Sequence, residues 1–282
     1  MYDVIKEATD LRHLRWSRKP VTNSTEAMAL PGLNRKNLTS CEIISGRLVY
    51  YKLSGYDPQL GIVGSECVYE IIACRLMDLM GIRHVDYTLM RADVDIDGHI
   101  FRTWVCRWED YRQSGESAVT LDEYYESKKL YGETPINFCI RKRWTDYISR
   151  MLLVDYVILN RDRSWKTIMV LKDGLGRRLR LSPLSDHGCS FMEPGYLPSD
   201  YIRYDSMSDT RVRSFLGAVD SRHNLYLIPS DQRKKLLIPM VIDKCDLFDG
   251  LHGILDVDCY DLIWDMVSHR MNYARAFLNG DL

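Results

Sequence analysis

Four charged side chains, Lys52, Glu70, Asp162 and Asp186, have the residue types that phosphoryl transfer requires. That chemistry needs a cation on the nucleotide phosphates, carboxylates that hold magnesium, and an acceptor that orients the attacking hydroxyl. A lysine, its carboxylate partner and two later aspartates can supply all of these. Each residue alone is a weak signal, so the hypothesis depends on whether the chain brings the four together.

The first pair lies on elements that local patterns define. Residues 41–53 predict a β-hairpin rich in aromatic and β-branched residues, with Lys52 on its second strand. Ser65 is a candidate cap for a helix over 66–80, in which apolar residues recur every three or four positions. Glu70 lies on that helix. A lysine on a strand followed by a glutamate on the next helix is the order found in protein kinases.

The second pair lies on either side of a predicted β-turn-β unit. Residues 144–160 have a helical pattern, and Asp162 lies in the polar loop that follows. Two strand patterns within 168–184 then lead to Asp186. Because a hairpin folds the chain back on itself, the two carboxylates can face one cleft although they are separated in sequence.

The segments around these aspartates resemble HipA-like kinases. That family has an Asn-x-Asp-[Arg/Asp]-His-x-x-Asn loop and a later Asp-x-Gly-x-Ser, which are similar to residues 155–163 and 181–190 here. Residues 51–53 and 70–76 look like the family's nucleotide lysine and its partner helix. The resemblance therefore covers roughly residues 45–190, and its strength lies in the order of the motifs.

The resemblance implies an α+β, two-lobed protein-kinase-like fold. We expect residues 1–108 to form a small β-rich N-lobe with one helix, and residues 109–282 to form a larger, mostly helical C-lobe. Strand patterns at 85–91 and 100–107 agree with the first part, and the helical pattern over 259–278 agrees with the second.

The resemblance also implies roles for residues that would bind ATP. Lys52 would contact the nucleotide phosphates and Glu70 would pair with Lys52. The segment from Cys106 to Glu109 would be the adenine hinge, whose contacts use backbone groups and leave little side-chain signature.

For Mg²⁺ and the acceptor, the resemblance implies that Asp162 orients the acceptor hydroxyl and Asp186 binds the metal. Two positions differ from the family pattern: Ser164 replaces its histidine, and Thr167 replaces the asparagine that holds a second magnesium. A threonine hydroxyl can still offer one oxygen to a hard cation, although it is a weaker ligand.

A third difference from kinases is that no glycine-rich segment precedes Lys52. Residues 23–26 and 31–34 are the only polar candidates for a phosphate-binding loop, and neither resembles one. Without glycine, backbone N–H groups approach phosphate oxygens less closely.

Three interpretations follow from these observations. The first is an ATP- and Mg²⁺-dependent serine/threonine kinase that acts on a protein or peptide. The second is a pseudokinase, a binding module that keeps the fold with weak or no catalysis. The third is a small-molecule or lipid kinase, since lipid kinases use a similar loop. HipA-like toxins act with DNA-binding antitoxins, but no feature of this sequence predicts such a partner.

Each key residue also has an ordinary structural interpretation. Lys52 could be an edge-strand charge that discourages aggregation. Asp162, between two arginines, could form surface ion pairs, and Asp186 could begin an Asx-turn. His187 is more typical of a loop histidine hydrogen-bonded to backbone than of an acid or base. Only the four residues taken together favour the catalytic interpretation.

Composition limits the possible partners and compartments. The formal net charge of −1 provides no positive field for direct nucleic-acid binding, and no apolar run is long enough to cross a membrane. The eight cysteines are scattered without zinc-site spacing, which predicts free, reduced thiols and a cytoplasmic location.

Overall fold

The computed structural model describes residues 4–18, 36–192 and 205–282. The strands in this part of the chain are Val4–Asp10 (β1), Ser17–Arg18 (β2), Lys36–Ile44 (β3), Arg47–Asp57 (β4), Gly61–Ile62 (β5), Thr88–Ile96 (β6), His99–Glu109 (β7), Ser117–Thr120 (β8), Asp162–Arg163 (β9), Met169–Lys172 (β10), Leu179–Leu181 (β11) and Arg213–Ser214 (β12). The α-helices are Glu66–Leu79 (α1), Leu121–Lys128 (α2), Pro135–Arg141 (α3), Thr145–Val157 (α4), Ser221–Tyr226 (α5), Ser230–Arg233 (α6), Lys244–Phe248 (α7) and Val257–Asn279 (α8). The candidate phosphate-loop segments 23–26 and 31–34 lie outside the described residues.

A mixed sheet in the order β1-β6-β7-β4-β3-β2 forms most of the N-terminal part, and the short strand β5 pairs antiparallel with the end of β4. The predicted hairpin is confirmed as β3 and β4, whose connection is the Ser45-Gly46 turn, with both residues at positive φ. Lys52 lies in the middle of β4, opposite Thr39 on β3 and Cys106 on β7. Lys52 is therefore on a central strand, and its interpretation as an edge-strand charge is wrong.

Helix α1 packs beneath the sheet and is enclosed on all sides. Every residue from Glu66 to Met77 is buried, and Arg75 donates to the Leu247 carbonyl oxygen of α7 at 2.8 Å. The predicted helix is confirmed, ending one residue early. Ser65 occupies the N-cap position, but its side chain makes no capping hydrogen bond, so the predicted cap is not made.

The predicted β-turn-β unit between Asp162 and Asp186 is β10 and β11, which pair antiparallel. Strand β8 adds a third strand to this small sheet, which the sequence did not predict. The preceding helix, α4, ends at Val157, earlier than expected. Strand β9, which holds Asp162, pairs in parallel with β12 from the C-terminal part.

Two hydrophobic clusters lie on opposite faces of the large sheet. The larger joins α1, β7, the small sheet and the C-terminal helices, and the smaller covers the other face around β4 and β6. Seven α-helices, α2 to α8, lie in the C-terminal part, although they make up less than half of its described residues, so the expectation of a mostly helical part is not met. Helix α8 packs into the larger cluster. The eight cysteines are free thiols, as predicted. None of the helices in the described ranges has the length and apolarity to cross a membrane.

Candidate functional site

Lys52 joins two carboxylates that are far apart in sequence. Its Nζ donates to Glu70 Oε1 at 2.7 Å and to Asp186 Oδ1 at 2.7 Å. The Lys52 side chain is almost completely buried, and it lies on the face of the sheet against which α1 packs. Burial alone would lower the pKa of Lys52, but the charges of Asp186 and Glu70 raise it well above its usual value. The lysine is therefore held as a cation between two anions.

Glu70 connects Lys52 to the loop that carries Asp186. The carboxylate is fully buried, and its Oε2 accepts a hydrogen bond from the His187 backbone N–H at 2.8 Å. Burial opposes ionisation, but the Lys52 charge and, after it, the nearby His187 side chain lower the pKa of Glu70 to about 2. One ionised carboxylate thus fixes both the lysine and the backbone next to Asp186.

The loop around Asp186 is held close to α1. Asp186 has φ of 62°, a left-handed conformation that aspartate and asparagine tolerate better than most residues. At Gly188, an added Cβ would lie 2.9 Å from the Glu66 Cβ, so only glycine allows this approach. The Asp186 side chain remains 38% exposed although its bonded partner Lys52 is buried. A carboxylate with one side open to solvent can accept a further ligand.

A buried hydrogen-bond network positions the loop of Asp162. Asp155, at the end of α4, accepts two bonds from the Arg163 guanidinium, at 2.8 and 2.6 Å, and one from Asn160 at 3.0 Å. Asn160 in turn accepts a bond from the Asp162 backbone N–H at 3.1 Å. Helix α4 therefore determines the backbone position of Asp162, which is not simply a residue of an exposed loop.

The two oxygens of the Asp162 carboxylate have different surroundings. Oδ2 lies 3.3 Å from the guanidinium of Arg213, whereas Oδ1 is buried without a hydrogen-bond partner among the residues that the structure describes. Burial raises the pKa of Asp162; the Arg213 charge opposes this effect, and the Asp186 charge adds to it. The Asp186 charge therefore acts on the ionisation of Asp162.

The side chains of the other predicted residues bond to partners outside this cluster. Cys106 is fully buried inside the sheet, where its thiol donates to the Cys67 carbonyl oxygen. The Glu109 carboxylate pairs with exposed Arg47 at 2.8 Å. The Thr167 hydroxyl donates to the Ser164 carbonyl oxygen at 2.9 Å. The structure therefore bonds Lys52 to Glu70 and Asp186, and Arg163 joins the loop of Asp162 to the loop of Asp186 through the Ser185 carbonyl oxygen. The side chains of Cys106, Glu109 and Thr167 have other partners.

His187 is fully buried, and neither ring nitrogen has a hydrogen-bond partner within the described ranges. Its Nδ1 lies 3.6 Å from Glu70 Oε2, a longer contact than a hydrogen bond. The expectation of a ring bonded to backbone is therefore wrong: the backbone N–H makes the bond instead. Burial lowers the pKa of His187, so the ring is neutral at physiological pH.

Two arginines of the site were not recognised from the sequence. In the sequence Arg163 is only a neighbour of Asp162, and no motif includes Arg213. Arg213 follows Asp162 by 51 positions, in a segment with no catalytic motif. Alternation of Arg211, Val212 and Arg213 predicts a strand at most, and no local pattern indicates its partner.

Comparisons with known proteins bear on the fold. No protein-family model and no curated protein sequence matches this chain. Among solved structures, the chain is similar to that of a Helicobacter pylori proinflammatory kinase, CtkA, with a TM-score of 0.61 and 13% sequence identity over 97% of this chain and 98% of that one. The likeness confirms the predicted α+β, protein-kinase-like fold.

Proposed function

We propose that this protein is an ATP- and Mg²⁺-dependent phosphotransferase of the HipA-like type that phosphorylates serine or threonine in a protein or peptide. The observation that carries the proposal is the pair of 2.7 Å bonds from Lys52 to Glu70 and to Asp186, 134 positions away. A kinase needs this lysine–glutamate ion pair and the metal-binding aspartate in place together.

The residues present suit a magnesium nucleotide. No group of three or more metal-ligating side chains occurs among the described residues. Magnesium in kinases needs no such group, since one or two carboxylates and the nucleotide phosphates hold it. Asp186, which is partly exposed, is the carboxylate that would hold the metal, and Lys52 is the cation for the phosphates. Bound magnesium would neutralise charge on the transferred phosphoryl group.

The orphaned oxygen of Asp162 supports its proposed role. A buried carboxylate oxygen without a donor is unfavourable, and an acceptor hydroxyl would supply the missing hydrogen bond. Asp162 would orient that hydroxyl and accept its proton, while Lys52 and Asp186 hold the nucleotide. Catalysis would then come from positioning and charge stabilisation.

The first experiment measures binding of Mg²⁺-ATP by calorimetry, with Asp186→Asn as the test variant. Asparagine tolerates the positive φ of Asp186, so the loss of charge is separated from backbone strain. Asp97→Asn is the matched control, because Asp97 also has positive φ, at 54°, in the exposed β6–β7 turn. We expect Asp186→Asn to bind Mg²⁺-ATP at least tenfold more weakly than the unmodified protein. Asp97→Asn should bind Mg²⁺-ATP as tightly as the unmodified protein does. Equal affinities for the two variants would contradict the proposal.

The second experiment follows label transfer from radioactive ATP to the protein itself and to generic protein and peptide acceptors. Asp162→Asn is expected to lower transfer at least a hundredfold while Mg²⁺-ATP affinity stays within twofold, because Asp162 is assigned to the acceptor. A small-molecule or lipid kinase would instead leave protein acceptors unlabelled and consume ATP only when such a substrate is added.

A pseudokinase is the second candidate, and the loop after Asp162 favours it. Ser164 and Thr167 bond to their own loop: Lys166 N–H donates to Ser164 Oγ at 3.2 Å, and Thr167 donates to the Ser164 carbonyl. Neither of these hydrogen bonds joins Ser164 or Thr167 to Asp162 or Asp186. Restoring Ser164→His and Thr167→Asn tests this candidate: a large gain in turnover supports a decayed site, and Mg²⁺-ATP binding without turnover in both forms supports a binding module.

We propose a protein acceptor on the HipA-like resemblance alone. Eight free thiols suit a reducing compartment, which supports the expected cytoplasmic location.

A further inference from the structure

We propose that Arg213 is a positioning residue for phosphoryl transfer, which holds the Asp162 carboxylate so that its other oxygen receives the acceptor hydroxyl. The inference rests on the proposed function and deepens it, because it assigns a role at the same site to a residue outside the kinase-like motifs. Arg213 acts through Asp162 and needs no contact with the nucleotide.

The backbone places Arg213 directly beside Asp162. Strands β12 and β9 pair in parallel with Arg213 opposite Asp162, and the Arg213 N–H donates to the Arg161 carbonyl oxygen at 2.8 Å. These bonds belong to the main chain, so they persist when the side chain is changed. The guanidinium then has only a short distance to span, and it reaches Asp162 Oδ2 at 3.3 Å.

The other arginines of this loop are engaged elsewhere. Arg161 is buried and donates to the carbonyl oxygens of Ser190, Phe191 and Met192. Arg163 is buried and bonds Asp155 and the Ser185 carbonyl oxygen. Although Asp162 lies between these two arginines in sequence, the side-chain cation that it contacts comes from the distant β12.

The ion pair gives the two carboxylate oxygens of Asp162 different roles. With Oδ2 paired to Arg213, rotation about the Cβ–Cγ bond is restricted, and Oδ1 is left as the buried oxygen without a partner. That oxygen is the one available to an acceptor hydroxyl. Without Arg213 the carboxylate could rotate, and misplacement by about 1 Å can cost on the order of a hundredfold in rate.

Stability does not explain this ion pair. The Arg213 side chain is 49% exposed, and exposed ion pairs contribute little to folding because water screens them and side-chain entropy opposes them. A contribution to catalysis is different, since it depends on the orientation of Asp162 at the moment of transfer.

The test measures label transfer by Arg213→Gln, by Arg213→Lys and by the control Arg211→Gln. Each substitution is made in the natural sequence and also in a protein that already carries Asp162→Asn. Arg211 is also exposed and lies two residues earlier, before β12. We expect Arg213→Gln to lower kcat for label transfer by about 10- to 100-fold, with KM for ATP within twofold and an unchanged melting temperature. Arg213→Lys should recover part of the loss, and Arg211→Gln should resemble the unmodified protein. In the Asp162→Asn background, Arg213→Gln should have no further effect.

Two results would overturn this inference and leave the proposed function standing. In the first, the unmodified protein transfers label and Arg213→Gln has the same kcat. In the second, Arg213→Gln lowers kcat by the same factor in the natural sequence and in Asp162→Asn. If Arg213→Gln does not fold, Arg213→Lys replaces it in this comparison. A lower kcat for Arg213→Lys in the natural sequence, with no further change in Asp162→Asn, supports the inference; an unchanged kcat, or an equal loss in both backgrounds, overturns it. Absence of Mg²⁺-dependent transfer by the unmodified protein would overturn the proposed function and this inference together, so the two failures are distinguishable.

Discussion

Arg163 donates to the Ser185 carbonyl oxygen at 2.6 Å and thereby joins the residue after Asp162 to the residue before Asp186. The same guanidinium pairs with Asp155 through two hydrogen bonds, and it is among the largest fully buried side chains in the described residues. The separation of the two candidate catalytic carboxylates is therefore held by a buried, forked contact and not by exposed loop backbone.

This contact predicts that Arg163→Lys is not a conservative change. An ammonium cannot reproduce the fork that reaches both Asp155 and Ser185, so one buried acceptor loses its donor. We expect a loss of about 2–4 kcal/mol in the free energy of unfolding, measured by urea denaturation, together with at least tenfold lower kcat. Arg178→Lys, on the exposed turn of the small sheet, is the control. Similar stabilities for the two variants would rule out this role for Arg163.

Removing Lys52 should destabilise the fold as well as weaken nucleotide binding. Lys52→Met leaves Glu70 buried without its cation, which typically costs about 3–5 kcal/mol. Replacing both residues, as in Lys52→Met with Glu70→Met, should cost less than the sum of the two single changes, because no uncompensated charge remains. Equilibrium unfolding of the four proteins measures the coupling, with exposed Lys128→Met as the control. Strict additivity would show that the pair contributes no coupling energy.

The low pKa of Glu70 predicts a specific dependence of stability on pH. Its folded-state pKa of about 2 lies below the unfolded value, so ionised Glu70 stabilises the fold above about pH 4.5 and this contribution is lost as pH falls toward 2. The stability difference between the unmodified protein and Glu70→Gln should therefore narrow by on the order of 2 kcal/mol from pH 6 to pH 3.

Urea unfolding at several pH values measures this difference, and comparison of the two proteins cancels the titration of the other groups. Exposed Glu7→Gln is the control. A difference for Glu70→Gln that stays constant over this range would show that Glu70 is not held ionised by Lys52 and His187.

Gly188→Ala should displace the loop that carries Asp186. Its new Cβ would meet the Glu66 Cβ at 2.9 Å and Glu70 Oε1 at 3.4 Å, and crowding of this kind usually costs about 1–3 kcal/mol. We expect weaker Mg²⁺-ATP binding along with the loss of stability. Gly174→Ala is the control, since its Cβ would meet only the Gly115 carbonyl oxygen, at 3.4 Å. Unchanged Mg²⁺-ATP affinity in Gly188→Ala would contradict a role for this close packing.

Local patterns were sufficient for the elements that carry the site. Strand propensity predicted the β3–β4 hairpin, and apolar periodicity predicted α1 and α4 to within about three residues. These features depend on neighbours a few positions apart, which a sequence displays directly. The side-chain cap of Ser65 failed as a prediction because the N-cap position alone does not determine where a hydroxyl points.

The sequence by itself determined the residue types, their order and the elements that bear them, and this was enough to select Lys52, Glu70, Asp162 and Asp186. Only the tertiary structure decided that Lys52 bonds both acidic partners, that Arg163 ties the two loops, and that Arg213 reaches Asp162 from a distant strand. The physical reason is that such contacts depend on how strands and helices pack across long stretches of chain. One-dimensional spacing contains no record of that packing.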